Sequence, residues 1–189
     1  MQKHCIVLLD DEQNILNSLS RLLRSDDREI ITALDAAEAL EKLKNNQGAD
    51  LVISDNKLPN MSGVEFLIKV KQLYPDTIRV LITGYPDLES VIKAVNNGQI
   101  YRFITKPWQN EEFKLLVKQA LDYSAILKDN RELLKIAKQQ RDFLSYVQKK
   151  YPQLSPNEID KTGLYIIDEQ RISETLEDFM KKYYPDGSK

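Results

Sequence analysis

Asp10 and Asp11 follow the apolar run C5-I-V-L-L9, and Asp55 closes the run D50-L-V-I-S-D55. Thr83 ends I78-R-V-L-I-T83, with Gly84 next, and Lys106 ends I100-Y-R-F-I-T-K106, with Pro107 next. Carboxylates, a hydroxyl and an ammonium thus stand at the ends of separate apolar runs. Clustered carboxylates repel one another and at neutral pH attract a hard cation. Mg²⁺ takes near-octahedral oxygen ligands and keeps some of its waters. A carboxylate can also act as a nucleophile and form an acyl phosphate. Catalysis of phosphoryl transfer is mostly positioning and charge neutralisation. A site for a phosphoryl group and Mg²⁺ therefore gives every residue a role, in which metal and Lys106 neutralise and Thr83 donates a hydrogen bond. Taken singly, an Asp at a strand end is an N-cap or turn residue. Their joint placement on one rim is what no need of the fold alone explains.

The elements that position these groups alternate along the chain. Residues 5–9, 29–33, 51–54, 78–82 and 100–104 are short, β-branched runs of the kind found in buried parallel strands. Between them, residues 12–25, 35–46, 62–74 and 87–97 carry apolar residues at helical spacing. Asp35 is an expected N-cap, Ser62 with Glu65 reads as a capping box, Gly98 as a helix-ending residue, and Asn110 before Glu111-Glu112 as an N-cap. Successive strand-then-helix units predict an α/β fold, a five-stranded doubly wound parallel sheet with right-handed crossovers. In such sheets the binding crevice lies at the carboxyl ends of the strands. The rim residues fall there.

The blocks L8-L-D-D-E12, V52-I-S-D-N-K-L-P-N-M-S-G63, L81-I-T-G-Y85 and I104-T-K-P107 resemble the signatures of response-regulator receiver domains of the CheY-like kind, in order and spacing, across residues 4–123. The resemblance implies that Asp55 is the phosphoacceptor. Asp10 and Asp11 would form the acidic pair that holds Mg²⁺, with Asp11 the more direct ligand, and Asp55 and the Lys57 backbone carbonyl would supply further oxygens. Thr83 and Lys106 would bind the phosphoryl group, the Lys106–Pro107 bond would be cis, and Phe103 would be the switch aromatic. Phe103 has no hydroxyl, so its signal would be packing alone. Lys57 falls where this family tunes phosphoryl lifetime, and the residue type leaves the sign open. The implied donor is a sensor histidine kinase or phosphotransfer protein. Phosphatases with an Asp nucleophile typically carry a second Asp two residues on, where this chain has Lys57, so catalytic turnover is not expected. The block I100-Y-R-F-I-T-K-P-W108 is also similar to receivers joined to cyclic-dinucleotide phosphodiesterase domains. The alternative is therefore a regulatory receiver within a larger output protein of that or another type.

Beyond the receiver-like segment, residues 111–150 contain no Pro or Gly and predict one long helix. Phe113, Leu116, Val117, Ala120 and Leu121 should pack on the sheet. Ile126, Asn130, Leu133, Ala137, Gln140, Leu144, Val147 and Tyr151 then follow a 4-3 pattern, with Asn130 at an a position and Ile126, Leu133 and Val147 at d. A parallel dimeric coiled coil and a helix that folds back or packs on the tail both fit. In the tail, Ser155-Pro156-Asn157-Glu158 reads as a capping box, Gly163–Asp168 as a short strand, and Ile172, Leu176, Phe179, Met180 and Tyr183 as an amphipathic helix face. The expected organisation is a receiver over 1–123, a helical extension over 124–150 and a small α+β tail over 151–189.

Composition narrows the function classes. With 27 Lys+Arg against 29 Asp+Glu, a net charge of −2 gives no general pull toward nucleic acid or anionic membrane. The tail carries five Lys/Arg against eight Asp/Glu, a balance of −3 that opposes phosphate binding. It also leaves no room for an ordinary helix-turn-helix module with a basic recognition helix. The expected output is contact with a downstream protein or a homodimer through 124–150, without nucleic acid or membrane. One cysteine, Cys5, cannot form an internal disulfide, and no signal-peptide pattern opens the sequence, so a cytoplasmic setting is expected. The single histidine, His4, is too few for a zinc site and is expected to be structural.

Overall fold

The sheet is all parallel and runs β2-β1-β3-β4-β5. The computed structural model describes residues 3–84, 92, 94–96, 100–150 and 169–183. Its strands are β1 (His4–Leu9), β2 (Arg28–Ala33), β3 (Leu51–Asp55), β4 (Ile78–Thr83) and β5 (Arg102–Thr105), and its helices are α1 (Gln13–Leu23), α2 (Ala36–Asn45), α3 (Gly63–Leu73), α4 (Asn110–Lys150) and α5 (Glu169–Tyr183).

Side-chain alternation along the central strands builds two cores. Ile6 and Leu8 of β1, Leu51 and Ile53 of β3, and Val80 and Ile82 of β4 face Leu16, Leu19 and Leu23 of α1 and Phe113, Val117 and Leu121 of α4. Val7, Leu9, Val52 and Leu81 face the other way, onto Ala39 and Leu43 of α2 and Phe66, Leu67 and Val70 of α3. Every residue of β3 and β4 is buried, as a strand covered on both faces requires. Burying each Leu, Ile or Phe side chain contributes about 1.5–3 kcal/mol.

The helix starts follow the local chemistry. The Asp35 side chain accepts from the Glu38 N–H at 2.8 Å. Ser62 and Glu65 form a reciprocal capping box at the start of α3. Two boundaries shift from expectation. β5 begins at Arg102; the Ile100 N–H donates to the Ala94 carbonyl, and the Tyr101 N–H reaches the Arg79 carbonyl of β4 just ahead of the paired register. α4 begins at Asn110 itself, and the Gln109 carbonyl accepts from the Phe113 N–H at 3.0 Å, which moves the cap from Asn110 to Gln109. Of the expected helix over 87–97, Ile92 and Ala94–Asn96 are helical; its remainder, and Gly98, lie outside the described residues. The expected capping box at 155–158 and strand at 163–168 also lie outside them.

One buried acid ties α4 to the amino-terminal end of the sheet. Asp50, 6% exposed, accepts from the Cys5 N–H at 2.8 Å, the Ser124 hydroxyl at 3.3 Å and the Lys128 ammonium at 2.6 Å. His4 Nδ1 lies 3.9 Å from the same carboxylate. Burial pushes the Asp50 carboxyl up, but the Lys128 and Cys5 bonds outweigh it and hold it below the ordinary carboxylate value.

The chain divides into two compact units, Met1–Asp129 and Asn130–Lys189. In the second unit α5 packs on the latter part of α4. Phe179, 3% exposed, lies with its ring 5.5 Å from both Phe143 and Tyr146. Lys150 Nζ reaches Asp178 at 3.5 Å. Met180, expected on the apolar face of this helix, is 38% exposed instead, one residue round from the buried Phe179. The side chains of Ile172, Leu176 and Tyr183 lie outside the described set. No helix among the described residues is long and apolar enough to cross a membrane.

Candidate functional site

The neighbours of β3 in the sheet are β1 and β4, so Asp55 at its carboxyl end meets the ends of both. The chain leaves the strand through Asn56, whose N–H donates to the Ile82 carbonyl at 2.8 Å. It returns at the start of α3, where the Gly63 N–H donates to the Asn56 carbonyl at 2.9 Å. This approach admits only glycine. A Cβ on Gly63 would stand 2.1 Å from the Asp55 carbonyl oxygen and 2.8 Å from Asn56 Cα, both backbone atoms. The loop is closed further by a bridge between Lys57 and Ser62.

Asp55 is 4% exposed and both its oxygens are held. Oδ2 accepts from the Lys57 N–H at 2.6 Å, and Oδ1 lies 2.6 Å from the Lys106 ammonium. The same ammonium donates to Asp10 Oδ2 at 3.1 Å. Asp10 Oδ1 accepts from the Glu12 N–H at 2.9 Å. Lys106 is placed by its own N–H, which donates to the Thr83 carbonyl at 2.8 Å, and the Lys106–Pro107 peptide is cis. Burial pushes the Asp10 carboxyl above the ordinary carboxylate value, against the bonds from Glu12 and Lys106. Burial pulls the Lys106 ammonium down, but the bonds to Asp55 and Asp10 outweigh it and leave it above the ordinary lysine value.

These groups surround a cavity of about 530 Å³ lined by Asp11, Glu12, Asp55, Asn56, Lys57, Thr83, Gly84 and Lys106. Asp10 lies behind the rim at 1% exposure with both oxygens engaged, whereas Asp11 is exposed and lines the cavity. Phe103 is half-buried, packed against the α2/α3 core and not part of the cavity wall. Pro107 follows Lys106 without lining it. Sequence reasoning left out Glu12 and Asn56. Glu12 lines the cavity and its N–H fixes Asp10; the run D10-D-E12 was its only signal. The Asn56 side-chain oxygen is buried with no hydrogen-bond partner. Nothing local in the sequence distinguishes it from a turn residue.

The donor set suits a hard cation. Asp10 and Asp55 face a single ammonium, and the cavity offers carboxylate and carbonyl oxygens without sulfur or imidazole. Among the described residues no group of three His, Cys, Asp or Glu could by itself hold a metal. Mg²⁺ uses one or two carboxylates and retains waters, and Asp11 and Asp55 bring two carboxylates to the cavity.

A parallel sheet of this order with an acidic pocket at its carboxyl rim is the architecture of a CheY-like signalling domain. The family model for the response regulator receiver domain matches residues 6–118, and the chain belongs to that family. Among curated relatives, the hydrogenase transcriptional regulatory protein HoxA of Bradyrhizobium diazoefficiens is 36% identical over 124 residues, 66% of this chain and 25% of that protein. Among solved structures, the signal receiver domain of an HD domain-containing protein from Pseudomonas fluorescens Pf-5 is 39% identical with a TM-score of 0.63, covering 68% of this chain and 94% of that one. The CheY-like receiver domain protein from Methanospirillum hungatei JF-1 is 31% identical with a TM-score of 0.61, covering 66% and 98%. The chain spans about a quarter of the length of the curated relatives it matches. Receiver domains are signalling domains of two-component systems, whose usual phosphoryl source is a histidine kinase and whose acidic pocket normally takes Mg²⁺.

Proposed function

We propose that this receiver is phosphorylated on Asp55 and passes the signal to a partner protein or a second copy, with residues 1–123 as phosphoacceptor domain, 124–150 as helical extension and 151–189 as tail. The observation that carries the reading is the buried Asp55 carboxylate at the cavity mouth, oriented by the Lys57 N–H and charge-paired with Lys106. A carboxylate oxygen of Asp55 attacks the phosphorus of a phosphohistidine on a sensor kinase or phosphotransfer protein. The new bond is Oδ–P; the bond that breaks is P–N, and its electron pair returns to the imidazole. Asp11, Asp55 and the Lys57 carbonyl would hold Mg²⁺, with Asp10 set behind them. The metal, when bound, supplies charge neutralisation for the phosphoryl oxygens. Lys106 stays on the phosphoryl group as a counter-charge. Thr83, 2% exposed at the end of β4, donates its hydroxyl to a phosphoryl oxygen. Phe103 responds by repacking, and Pro107 holds the turn that aims Lys106.

Output runs through the helix that leaves the sheet after residue 123, by protein contact or dimerisation. The tail's balance of −3 supports a protein partner over DNA. No catalytic turnover beyond loading and loss of its own phosphoryl group is proposed. Incubation with acetyl phosphate and Mg²⁺ followed by intact mass tests the site. One added phosphoryl group, absent in Asp55→Asn, is expected; no gain in the wild type would leave a fixed scaffold as the better reading. A second reading, the regulatory receiver of a larger protein, draws support from the HD domain-containing relative and from the greater length of HoxA. Sequencing the gene through its stop codon separates the two.

A further inference from the structure

We propose that a second cavity, at the amino-terminal ends of β1 and β2, binds a small phosphate monoester. It lies at the end of the sheet opposite to Asp55 and measures about 380 Å³. Lys3, which precedes β1, Arg24, just past the end of α1, and Arg28, which opens β2, bring three cations to its wall. Asp26 is the one acidic lining residue. Three cations against one acid leave the wall a formal +2, in a chain whose net charge is −2. Among the described residues no ion pair joins Asp26 to any of the three, and the side chains of Lys3 and Arg24 have no ion-pair or hydrogen-bond partner. The cations are therefore not neutralised from within. A concave wall of one sign focuses the field and concentrates counter-ions of the other.

Arg28 is the fixed member of the set. Its side chain is 19% exposed, and Nη1 donates to the Leu23 carbonyl at 3.3 Å. That bond offsets part of the negative end of the α1 dipole, which would otherwise oppose an anion here. Nε is buried without a hydrogen-bond partner, because Asp27 Oδ1 at 3.8 Å lies beyond hydrogen-bond reach. A guanidinium with an unsatisfied donor in a planar fork suits the oxygens of a phosphate group. Ser20 and Ser25 add hydroxyl groups to the wall. The volume falls within the range of about 300–1,000 Å³ typical of small-molecule sites, so an organic group fits beside the phosphate, with Ile30 as its apolar contact. The acids select for size. A flat polyanion laid over this end of the sheet would meet Asp26 and Asp27 along with the cations, whereas a small ester enters between them.

The test is an amide NMR titration of the full chain without Mg²⁺, using inorganic phosphate, adenosine monophosphate, glucose 6-phosphate and vesicles containing phosphatidic acid. At least one of the two esters should shift the amides of Ser20, Arg24, Ser25 and Arg28 to saturation, and should bind several-fold more tightly than inorganic phosphate. Lys3 and Arg24 are exposed, so Lys3→Gln and Arg24→Gln leave the fold intact. Each should weaken binding by about tenfold, the loss of one charge-assisted contact. Shifts confined to Thr83, Gly84 and Lys106 would put the anion in the phosphoacceptor cavity and overturn the second site. Shifts that never saturate, that sodium chloride reproduces, or that both variants leave unchanged would overturn it too. Equal affinity for inorganic phosphate overturns the ester in favour of a bare anion, and binding to the vesicles alone overturns it in favour of a lipid surface.

Discussion

Replacing Gly63 with alanine adds one methyl group where the backbone already touches. The new Cβ would sit 2.1 Å from the Asp55 carbonyl oxygen, 2.8 Å from Asn56 Cα and 2.9 Å from the Asp55 carbonyl carbon. Ordinary contact begins near 3.4 Å, so the loop or α3 must retreat by about 1 Å, and none of the atoms in the way is a flexible side-chain end. The retreat opposes the Gly63 N–H bond to Asn56 at 2.9 Å and the Lys57–Ser62 bridge. Overpacking of this kind costs about 1–3 kcal/mol, and a hydrogen bond lost with it adds about 1 kcal/mol. Urea denaturation should therefore show Gly63→Ala about 2–4 kcal/mol less stable than wild type. The displaced loop carries the Lys57 N–H that aims Asp55 Oδ2, so acetyl phosphate should label the folded variant more slowly as well. Gly84→Ala is the internal control. Its Cβ would meet only Lys106 Cβ at 4.0 Å, so stability should stay within about 0.5 kcal/mol. Equal stability of Gly63→Ala and wild type would refute the close-approach argument. A stable variant with normal labelling would also refute the link from that approach to the site.

Asp50→Asn should cost about 2–4 kcal/mol at pH 7, from charge-assisted bonds lost in a buried site. Because the folded Asp50 carboxyl lies below its ordinary value, that stabilisation is complete above the unfolded pKa near 4 and fades as pH falls through the folded value. A urea-stability gap that does not shrink toward pH 2 would sink the assignment. Lys106→Met leaves Asp10 and Asp55 facing each other without a counter-charge and should destabilise by about 3 kcal/mol. The raised Lys106 ammonium keeps its contribution below the unfolded pKa near 10.4 and loses it as pH rises through the folded value, so the gap should close only in strong alkali. Mg²⁺ should raise the Tm in a concentration-dependent way, and Asp11→Asn should abolish most of that rise; an undiminished rise would remove Asp11 from the ligand set. Loading with a beryllofluoride phosphoryl mimic should shift the sedimentation of the full chain, and identical profiles would exclude a dimer switch.

The placement of the pocket residues was readable because a parallel sheet turns sequence position into spatial position. A residue at the end of each apolar run has only one rim to occupy, so Asp10, Asp11, Asp55, Thr83 and Lys106 could be gathered before any coordinate was known. What was not readable depends on distance in the chain. Asp50 meets Ser124 and Lys128 across 74 and 78 residues, and no local pattern marks a residue before β3 as the partner of a helix that far on. Nothing local marks Gly63; the clash that demands glycine comes from the strand end eight positions earlier. The start of β5 slipped by two residues: Ile100 looks like strand but bonds to Ala94, and Tyr101, though its N–H reaches Arg79 of β4, lies ahead of the paired register, its ring stacking on Tyr123 at 5.3 Å. The long helix was read as one apolar stripe, and the pattern could not show that α5 takes a second flank through Phe143 and Tyr146.

β3 is also a mechanical part. Asp50 stands just before its first residue and Asp55 is its last, so one short strand carries the grip on the outgoing helix at one end and the proposed phosphoacceptor at the other. It is buried throughout and laddered to β1 and β4, which makes it a strut of fixed length, about 17 Å at 3.3–3.4 Å per residue. A strut cannot report by stretching. On the function proposed above, a change at Asp55 is passed sideways, to the Thr83 and Lys106 that line the same cavity, while the Asp50–Lys128 contact holds α4 at the other end of the strand.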